Sequence, residues 1–587
     1  MADKFKNLVD LWEKSCEKYA SRELFGTKNG SSWEWMHYDE FKKLVDQFRG
    51  GLKSLGVGPG DKVAIIANNR VEWAVAAYAT YGLKAAFVPM YEAQKTDEWK
   101  FIIEDCSAKI AIGATNEIYD KLKGIRDQVE ALEHVIGLEA DEKDDHSYAH
   151  LLTVGEKNPV DAEHPEPGDT AGFIYTSGTT GNPKGVILSH GNITSNINAV
   201  HDIFPFATDD RSLSFLPWAH SFGQTCELHA LLSMGASMGI NDDIPNLVAN
   251  LAEVKPTILF AVPRIFNRIY DGVNKQMTEK PGFIQNLFHS AIKNATKKSR
   301  GESIGFMGGI GLSLADSIIF SKIRERFGGR LRFAVSGSAA LSKEVAEFID
   351  ALGIEVYEGY GLTETSPIAT ANFPGNRKIG SVGKAIPHVT ISIDKEVTGD
   401  AKHGEILIKG PNIMQGYHNR PEENDKVLLP DRTFRSGDMG YVDEDGYLYI
   451  TGRIKEQYKL ENGKYVVPAP LEEELKLSPF IANVMIHGAN KPYNVALVVP
   501  DPDALKKWAS ENGVDLGNVE KSDEVRKLLE KELAERGQNF KGFERPKKFM
   551  ITAEDFTTDN GLLTPTLKLK RRNVLAKYEA QLDALYN

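Results

Sequence analysis

Tyr175-Thr-Ser-Gly-Thr-Thr-Gly-Asn-Pro-Lys-Gly185 is the stretch that decides the reading of this chain. The apolar run AGFIY leads into it and reads as a buried strand. The loop that follows is dense in hydroxyls and glycines and ends on Lys184. Glycines let a backbone approach phosphate closely, hydroxyls and N–H groups donate to phosphate oxygens, and a lysine adds charge. A plain polar turn is the competing reading, but so many flexible and polar residues are costly to order without a ligand. The loop is not a Walker A motif, which needs Gly-Lys followed by Ser or Thr. Here Pro183 precedes Lys184 and Gly185 follows it.

Outward from the loop, apolar runs alternate with helical patterns. Lys62–Ala67, Thr257–Val262 and Leu331–Val335 read as strands, and Val71–Leu83 as a helix. That alternation predicts layered α/β architecture. From about residue 379 to 452 the texture changes to short alternating runs broken by Gly and Pro, such as GEILIKG and DEDGYLYITG. This predicts a smaller β-rich unit. Beyond it lies a charged tail region with the strand candidates NVALVV and KFMIT. It also holds a helix candidate, SDEVRKLLEKELAERG, with Ser522 as N-cap and Gly537 as stop. Residues 271–330 are basic and polar in places and read as an insertion or a mobile helical excursion.

Composition narrows the function. The 587 residues include 82 acidic and 70 basic side chains, a formal charge of −12. Nucleic-acid binding runs on excess Lys and Arg, so it is not expected. The three cysteines, Cys16, Cys106 and Cys226, form no CxxC pair, which argues against a disulfide framework or a cysteine zinc site. The first residues show no basic stretch followed by an apolar run, so a cytoplasmic location is expected. The most apolar long stretch, Trp73–Met90, contains Lys84 and Pro89 and reads as helix plus strand rather than a membrane span. No HExxH or GxSxG motif is present. GVGPGD and GGIGLS lack the third glycine of a dinucleotide fingerprint.

YTSGTTGNPKG resembles the signature of the adenylate-forming superfamily, and four further blocks match in the family's order. They are VSGSAAL (Val335–Leu341), YEGYGLTETS (Tyr357–Ser366), RSGDMGYVDEDGYLYITGR (Arg435–Arg453) and GLLTPTLKLKR (Gly561–Arg571). The resemblance implies a large N-terminal domain, 1–452, of layered α/β subdomains plus the β-rich subdomain at about 379–452. A small, mobile α+β C-terminal domain, 453–587, completes it. By resemblance, Thr176, Ser177, Gly178, Thr179, Thr180, Gly181 and Lys184 bind phosphate. Gly337, Ser338, Ala339, Glu358, Gly359, Tyr360, Gly361 and Thr363 border the adenine side. Asp438 and Arg453 reach the ribose, and Thr176 and Glu364 hold Mg²⁺. Lys568 serves adenylation, Lys455 is the hinge, and Lys459 approaches the nucleotide after the domains rotate. His220, in LPWAHSFGQ, falls near the substrate carboxylate, where Trp218 either lines the acyl pocket or packs in the core.

These assignments also make chemical sense on their own. Tyr360 offers a ring for stacking a purine, and Glu364 a hard oxygen ligand for Mg²⁺. A carboxylate at Asp438 can accept from both ribose hydroxyls, although an Asp after Ser-Gly is also a common turn former. Lys568 sits among Lys570, Arg571 and Arg572, where a solvated basic face is the ordinary reading. Only the family block singles it out.

The finer resemblance is to long-chain fatty acyl-CoA synthetases. It rests on the excursion between PRIFNRIYDGV and GGRLRFAVSGSAAL, on LENGKYVVPAPLEE, and on NGLLTPTLKLKRR, where Leu567 stands in place of a common glycine. LPWAHSFGQ departs from the usual long-chain form after Phe222. The implied reaction ligates a fatty acid to coenzyme A at the expense of ATP through an acyl adenylate, releasing AMP and pyrophosphate. Medium-chain or aromatic acids, or a carrier protein as acceptor, are the alternatives. A non-catalytic fatty-acid-binding or scaffold protein is a further one, opposed by the intact motifs. A hydrophobic substrate is compatible with peripheral contact at a membrane; sequence sets neither acyl length nor oligomeric state.

Overall fold

Strand Thr170–Thr176 pairs antiparallel with Lys184–Ser189, and their last register pair is Thr176 with Lys184. These two strands therefore flank the hydroxyl- and glycine-rich stretch of the sequence. Its residues 177–182, and with them the expectations for Ser177, Gly178, Thr179, Thr180 and Gly181, lie outside the described residues. The computed structural model describes residues 4–176, 183–397, 402–564 and 568–586.

The hairpin belongs to a seven-stranded sheet. In spatial order its strands are Gly416–Tyr417, Lys184–Ser189, Thr170–Thr176, Ala86–Met90, Lys62–Ile66, Ile110–Gly113 and His134–Gly137. The last five run parallel, as strands joined by helical crossovers do, and the hairpin adds antiparallel pairs at one edge. Strands buried on both faces read as continuous apolar runs, which is why VAII and AFVPM are apolar throughout. Helix Val71–Tyr81 is buried at every residue but Glu72, so the apolar stretch from Trp73 is core, as its sequence indicates.

A second sheet orders Ile258–Ala261, Phe333–Ser336, Glu355–Gly361, Ile368–Ala371 and Lys384–Ala385. Its first three strands are parallel and the last two antiparallel. A third sheet is built from Ser32–His37, Glu23–Asn29, Ser237–Ile240 and Arg211–Ser214. The excursion is helical, as the sequence indicates: Pro263–Thr278, Gly282–Ser299, and Gly305–Ala315 continuing to Glu325.

The chain divides into two compact units. One comprises Met1–Ser392, Leu407–Arg435 and Gly446–Leu448, and the other Ile393–Ile406, Ser436–Asp445 and Tyr449–Asn587. Within the second, strands Ile481–His487, Asn494–Pro500 and Pro546–Ile551 form a sheet with helices on both faces. The central strand is fully buried and alternates: Ala496 and Val498 join Leu471, Leu475 and Leu529, while Val495 and Leu497 join Val574, Tyr578 and Leu582. Helix Asp523–Arg536 forms where expected, with the Ser522 hydroxyl accepting from the Val525 N–H and Gly537 at its end.

Candidate active site

In the first unit the site is assembled around the base of the hairpin. The Lys184 ammonium lies 2.6 Å from the Glu423 carboxylate and 5.3 Å from the centre of the Tyr417 ring. The Tyr417 hydroxyl donates to Glu364 Oε1 at 2.7 Å. Lys184 and Glu364 are 180 positions apart in sequence, yet a single tyrosine touches both. Strand Gly416–Tyr417 makes this possible by pairing with the hairpin, with Tyr417 opposite Val186. Asp105 ties down the other side: it accepts from the Tyr175 hydroxyl at 2.7 Å and pairs with Arg420 at 3.2 Å. Lys184 holds the Glu423 carboxyl below its usual range. Burial and the neighbouring Asp105 push the Tyr175 phenol well up, so it stays a neutral donor.

Glu364 sits in a single helical turn, Thr363–Thr365, just after the strand that carries Glu358, Gly359, Tyr360 and Gly361. Gly361 is required there, because a Cβ would fall 1.7 Å from the Pro367 carbonyl oxygen. Thr363 Oγ1 lies 3.4 Å from Ser221 Oγ, which brings the LPWAHSFGQ segment against this turn. Gly337 follows the neighbouring parallel strand, and its Cα faces the Phe222 ring, where a Cβ would come within 3.3 Å. Gly337, Thr363 and Glu364 therefore follow the carboxyl ends of two adjacent parallel strands, the second of which carries Tyr360 next to its last residue, and open α/β sheets bind ligands at such ends. Ser338 and Ala339 are exposed there, with Ser338 in the left-handed region at φ 70°.

His220 is half-buried, and its Nδ1 accepts from the Phe222 N–H at 3.2 Å. That acceptor role puts the proton of the neutral ring on Nε2. Trp218 is fully buried among Phe25 and Trp73. Glu358 is also turned inward. Its Oε1 accepts from the Leu341 N–H at 3.3 Å, and burial raises its carboxyl to about 7. Its side chain thus braces the Gly337–Leu341 turn.

The second unit holds the other candidates. Arg453 Nε donates to Asp438 Oδ1 at 2.6 Å, so the two ribose candidates are brought together. Asp438 is buried, and its own N–H donates to Ser436 Oγ at 3.0 Å. Lys455 lies in the turn Ile454–Glu456, and Lys459 is exposed, 5.4 Å from the centre of the Tyr465 ring. Lys568 is exposed: its N–H donates to Thr564 Oγ1 at 3.0 Å and its carbonyl accepts from the Thr564 N–H at 2.8 Å.

Sequence reading missed Tyr417, Glu423 and Asp105. None lies in a recognisable block, and their proximity depends on strand pairing across more than two hundred residues. Among the described residues no group of three or more His, Cys, Asp or Glu side chains could hold a metal. Glu364 is one carboxylate and Thr176 one hydroxyl, a donor pair that suits a hard cation sharing its shell with phosphate and water.

Lys184, Thr363 and Glu364 thus stand at strand ends, and comparison with known proteins identifies the class. The AMP-binding enzyme family matches residues 12–418, and the AMP-binding enzyme C-terminal domain matches residues 455–587. The chain belongs to this family of adenylate-forming ligases. It is 33% identical over 555 residues to the long-chain-fatty-acid–CoA ligase FadD15 of Mycobacterium bovis, covering 92% of this chain and 90% of that one. It is 31% identical to the peroxisomal long chain acyl-CoA synthetase 7 of Arabidopsis thaliana, covering 99% and 86%. The adenylation domain of a carboxylate reductase from Mycobacterium chelonae shares the fold, with a TM-score of 0.81 at 22% identity, covering 99% and 91%.

Proposed function

We propose that this chain ligates a long-chain fatty acid to coenzyme A at the expense of ATP, through an acyl adenylate, releasing AMP and pyrophosphate. The observation that carries it is that Tyr417 contacts both Lys184 and Glu364; in this reading the first is the phosphate-binding cation and the second the metal-binding acid. The substrate class is supported by relatives named as long-chain ligases along nearly the whole chain.

In the first step a carboxylate oxygen attacks the α-phosphorus of ATP in line. The bond from that phosphorus to the bridging oxygen breaks, and pyrophosphate leaves. The chain's part is positioning and charge. Lys184 and the loop hydroxyls hold the phosphates, Tyr360 stacks on the adenine, and Asp438 with Arg453 holds the ribose. His220, protonated at Nε2, donates to the substrate carboxylate. Thr176 and Glu364 would hold Mg²⁺, which when bound neutralises phosphate charge. Lys568 places its cation where charge develops between carboxylate and α-phosphate. In the second step the coenzyme A thiol, losing its proton, attacks the acyl carbonyl carbon, the bond to the phosphate oxygen breaks, and AMP leaves. The C-terminal domain, taken as 453–587, turns about Lys455 between the steps, exchanging Lys568 for Lys459. A cytoplasmic location is part of this reading.

The test is pyrophosphate release with acids from acetate to oleate, with and without coenzyme A. Expected is a maximum among the long-chain acids and thioester product only with coenzyme A. A maximum at a short or aromatic acid, or turnover without thioester, overturns the substrate assignment.

A further inference from the structure

The helix Gly305–Ala315 and its continuation form the only segment among the described residues long and apolar enough to span a membrane, Gly305–Glu325, and only 22% of its apolar window is buried. Phe306 and Met307 are 84% and 77% exposed, and Ile310, Leu314 and Ile318 continue the exposed stripe at four-residue spacing. Contiguous exposed apolar surface of this kind marks a docking face.

Its surroundings are cationic. Residues 263–330 carry twelve basic and five acidic side chains, a balance of +7, inside a chain whose formal balance is −12. The helix Gly282–Ser299 packs beside it, with Asn294 against Gly308. That helix ends in Lys297 and Lys298 just before the short link to Phe306, and among the described residues neither lysine forms an ion pair. Arg300 is engaged by Glu347 at 2.6 Å.

We propose that this helix lies flat on an anionic lipid surface, with Phe306, Met307 and Ile310 among the acyl chains and Lys297 and Lys298 at the headgroups. The arrangement of apolar insertion beside cations is that of an interfacial helix. Spanning is excluded by its other face: Ile319, Phe320 and Ile323 are buried in the protein, Phe320 against Phe288, and Asp316 pairs with Arg324 at 2.7 Å. A second copy of the chain is disfavoured, because a two-fold interface would bring two such cationic segments together. The inference stands on this surface and does not depend on the ligase reading.

The test is co-sedimentation of the full chain with vesicles of phosphatidylcholine alone, and of phosphatidylcholine with about one-third phosphatidylserine. The chain is expected to sediment with the anionic vesicles and to be released as salt rises from about 0.05 to about 0.5 M. Phe306→Ser with Met307→Ser should lower partitioning at least about tenfold. Lys297→Glu with Lys298→Glu should lower it about tenfold or more, on anionic vesicles only. All four side chains are partly or wholly solvent-exposed, so both variants should keep the wild-type thermal midpoint. Three results overturn the proposal: wild type left in the supernatant with both vesicles, variants that sediment as wild type does, or a dimer that Phe306→Ser with Met307→Ser dissociates while vesicles are ignored.

Discussion

In the proposed mechanism Tyr417 holds Glu364 and Lys184 in place for the nucleotide. Its hydroxyl donates to Glu364 at 2.7 Å while its ring lies beneath the Lys184 ammonium. Tyr417→Phe keeps the ring and removes only the donor. A hydrogen bond to a charged group contributes about 1.5–3 kcal/mol, so the rate of adenylate formation should fall about ten- to a hundredfold. Thioester formation from a preformed acyl adenylate should be unchanged, and the two half-reactions measured separately check this. Loss in both would make Tyr417 a packing residue. Lys568 is tested in the same way. Lys568→Ala should cost adenylation about 10²–10³ in rate, the usual loss for one contact to developing charge, and leave the second half-reaction largely intact. Lys568 is exposed and its backbone N–H is held by Thr564 Oγ1. Truncating its side chain should therefore leave the fold stable, and an equal loss in both half-reactions would remove Lys568 from the chemistry.

Among the elements, the π-helical stretch Phe222–His229 is where sequence reading stopped short. All eight residues are buried, including Gln224, Glu227 and His229, which no amphipathic pattern announces. Glu227 Oε1 accepts from Ser212 at 2.9 Å, Oε2 has no hydrogen-bond partner among the described residues, and burial raises the carboxyl to about 7. An unfolded glutamate titrates near about 4.3. Between that pH and about 7 the folded chain holds a proton that the unfolded chain has lost, so Glu227 lowers stability as pH rises and levels off above 7. His190 and His229, both driven down to about 3 by burial, act oppositely and lose stability as pH falls below their unfolded value. Glu227→Gln isolates the carboxyl: relative to wild type its unfolding free energy should rise from pH 5 to pH 8, by up to about 3 kcal/mol. A pH-independent difference in denaturant unfolding would contradict the burial argument. Strands such as Lys62–Ile66 and the capped helix Asp523–Arg536 were legible because their signals are local: an apolar run, or a serine three residues before the N–H it caps. Tyr417 was not, because its partners lie far away in sequence, and Glu227 was not, because only packing buries the whole stretch that carries it. The exposed helix at Gly305 was passed over for a related reason. Its glycines and apolar residues look alike whether they face protein or solvent, and only packing separates the two.

At the scale of the whole molecule, the proposed function needs one chain to serve two reactions, and the segment around Lys455 is where that requirement falls. Lys459 and Lys568 lie on its C-terminal side, over a hundred residues apart, and in the proposed mechanism each serves a different half-reaction. Lys455 occupies the turn Ile454–Glu456, entered from Arg453 in extended conformation at φ −119°, with the Gln457 N–H donating to the Arg453 carbonyl at 3.1 Å. A turn of three residues can redirect everything after it by changing a few dihedrals. Proline fixes its own φ near −65° and disfavours the helical region for the residue before it, here Ile454. Lys455→Pro should therefore penalise this turn and favour an extended Ile454, so that only one of two arrangements remains accessible. One half-reaction should collapse while the other survives. Pyrophosphate release and thioester formation from preformed adenylate, measured on one preparation of Lys455→Pro with a wild-type thermal midpoint, decide the matter. If both rates fall together, or neither falls, the chain does not work by turning about this residue. The two half-reactions would then have to be served by a single arrangement of Lys459 and Lys568.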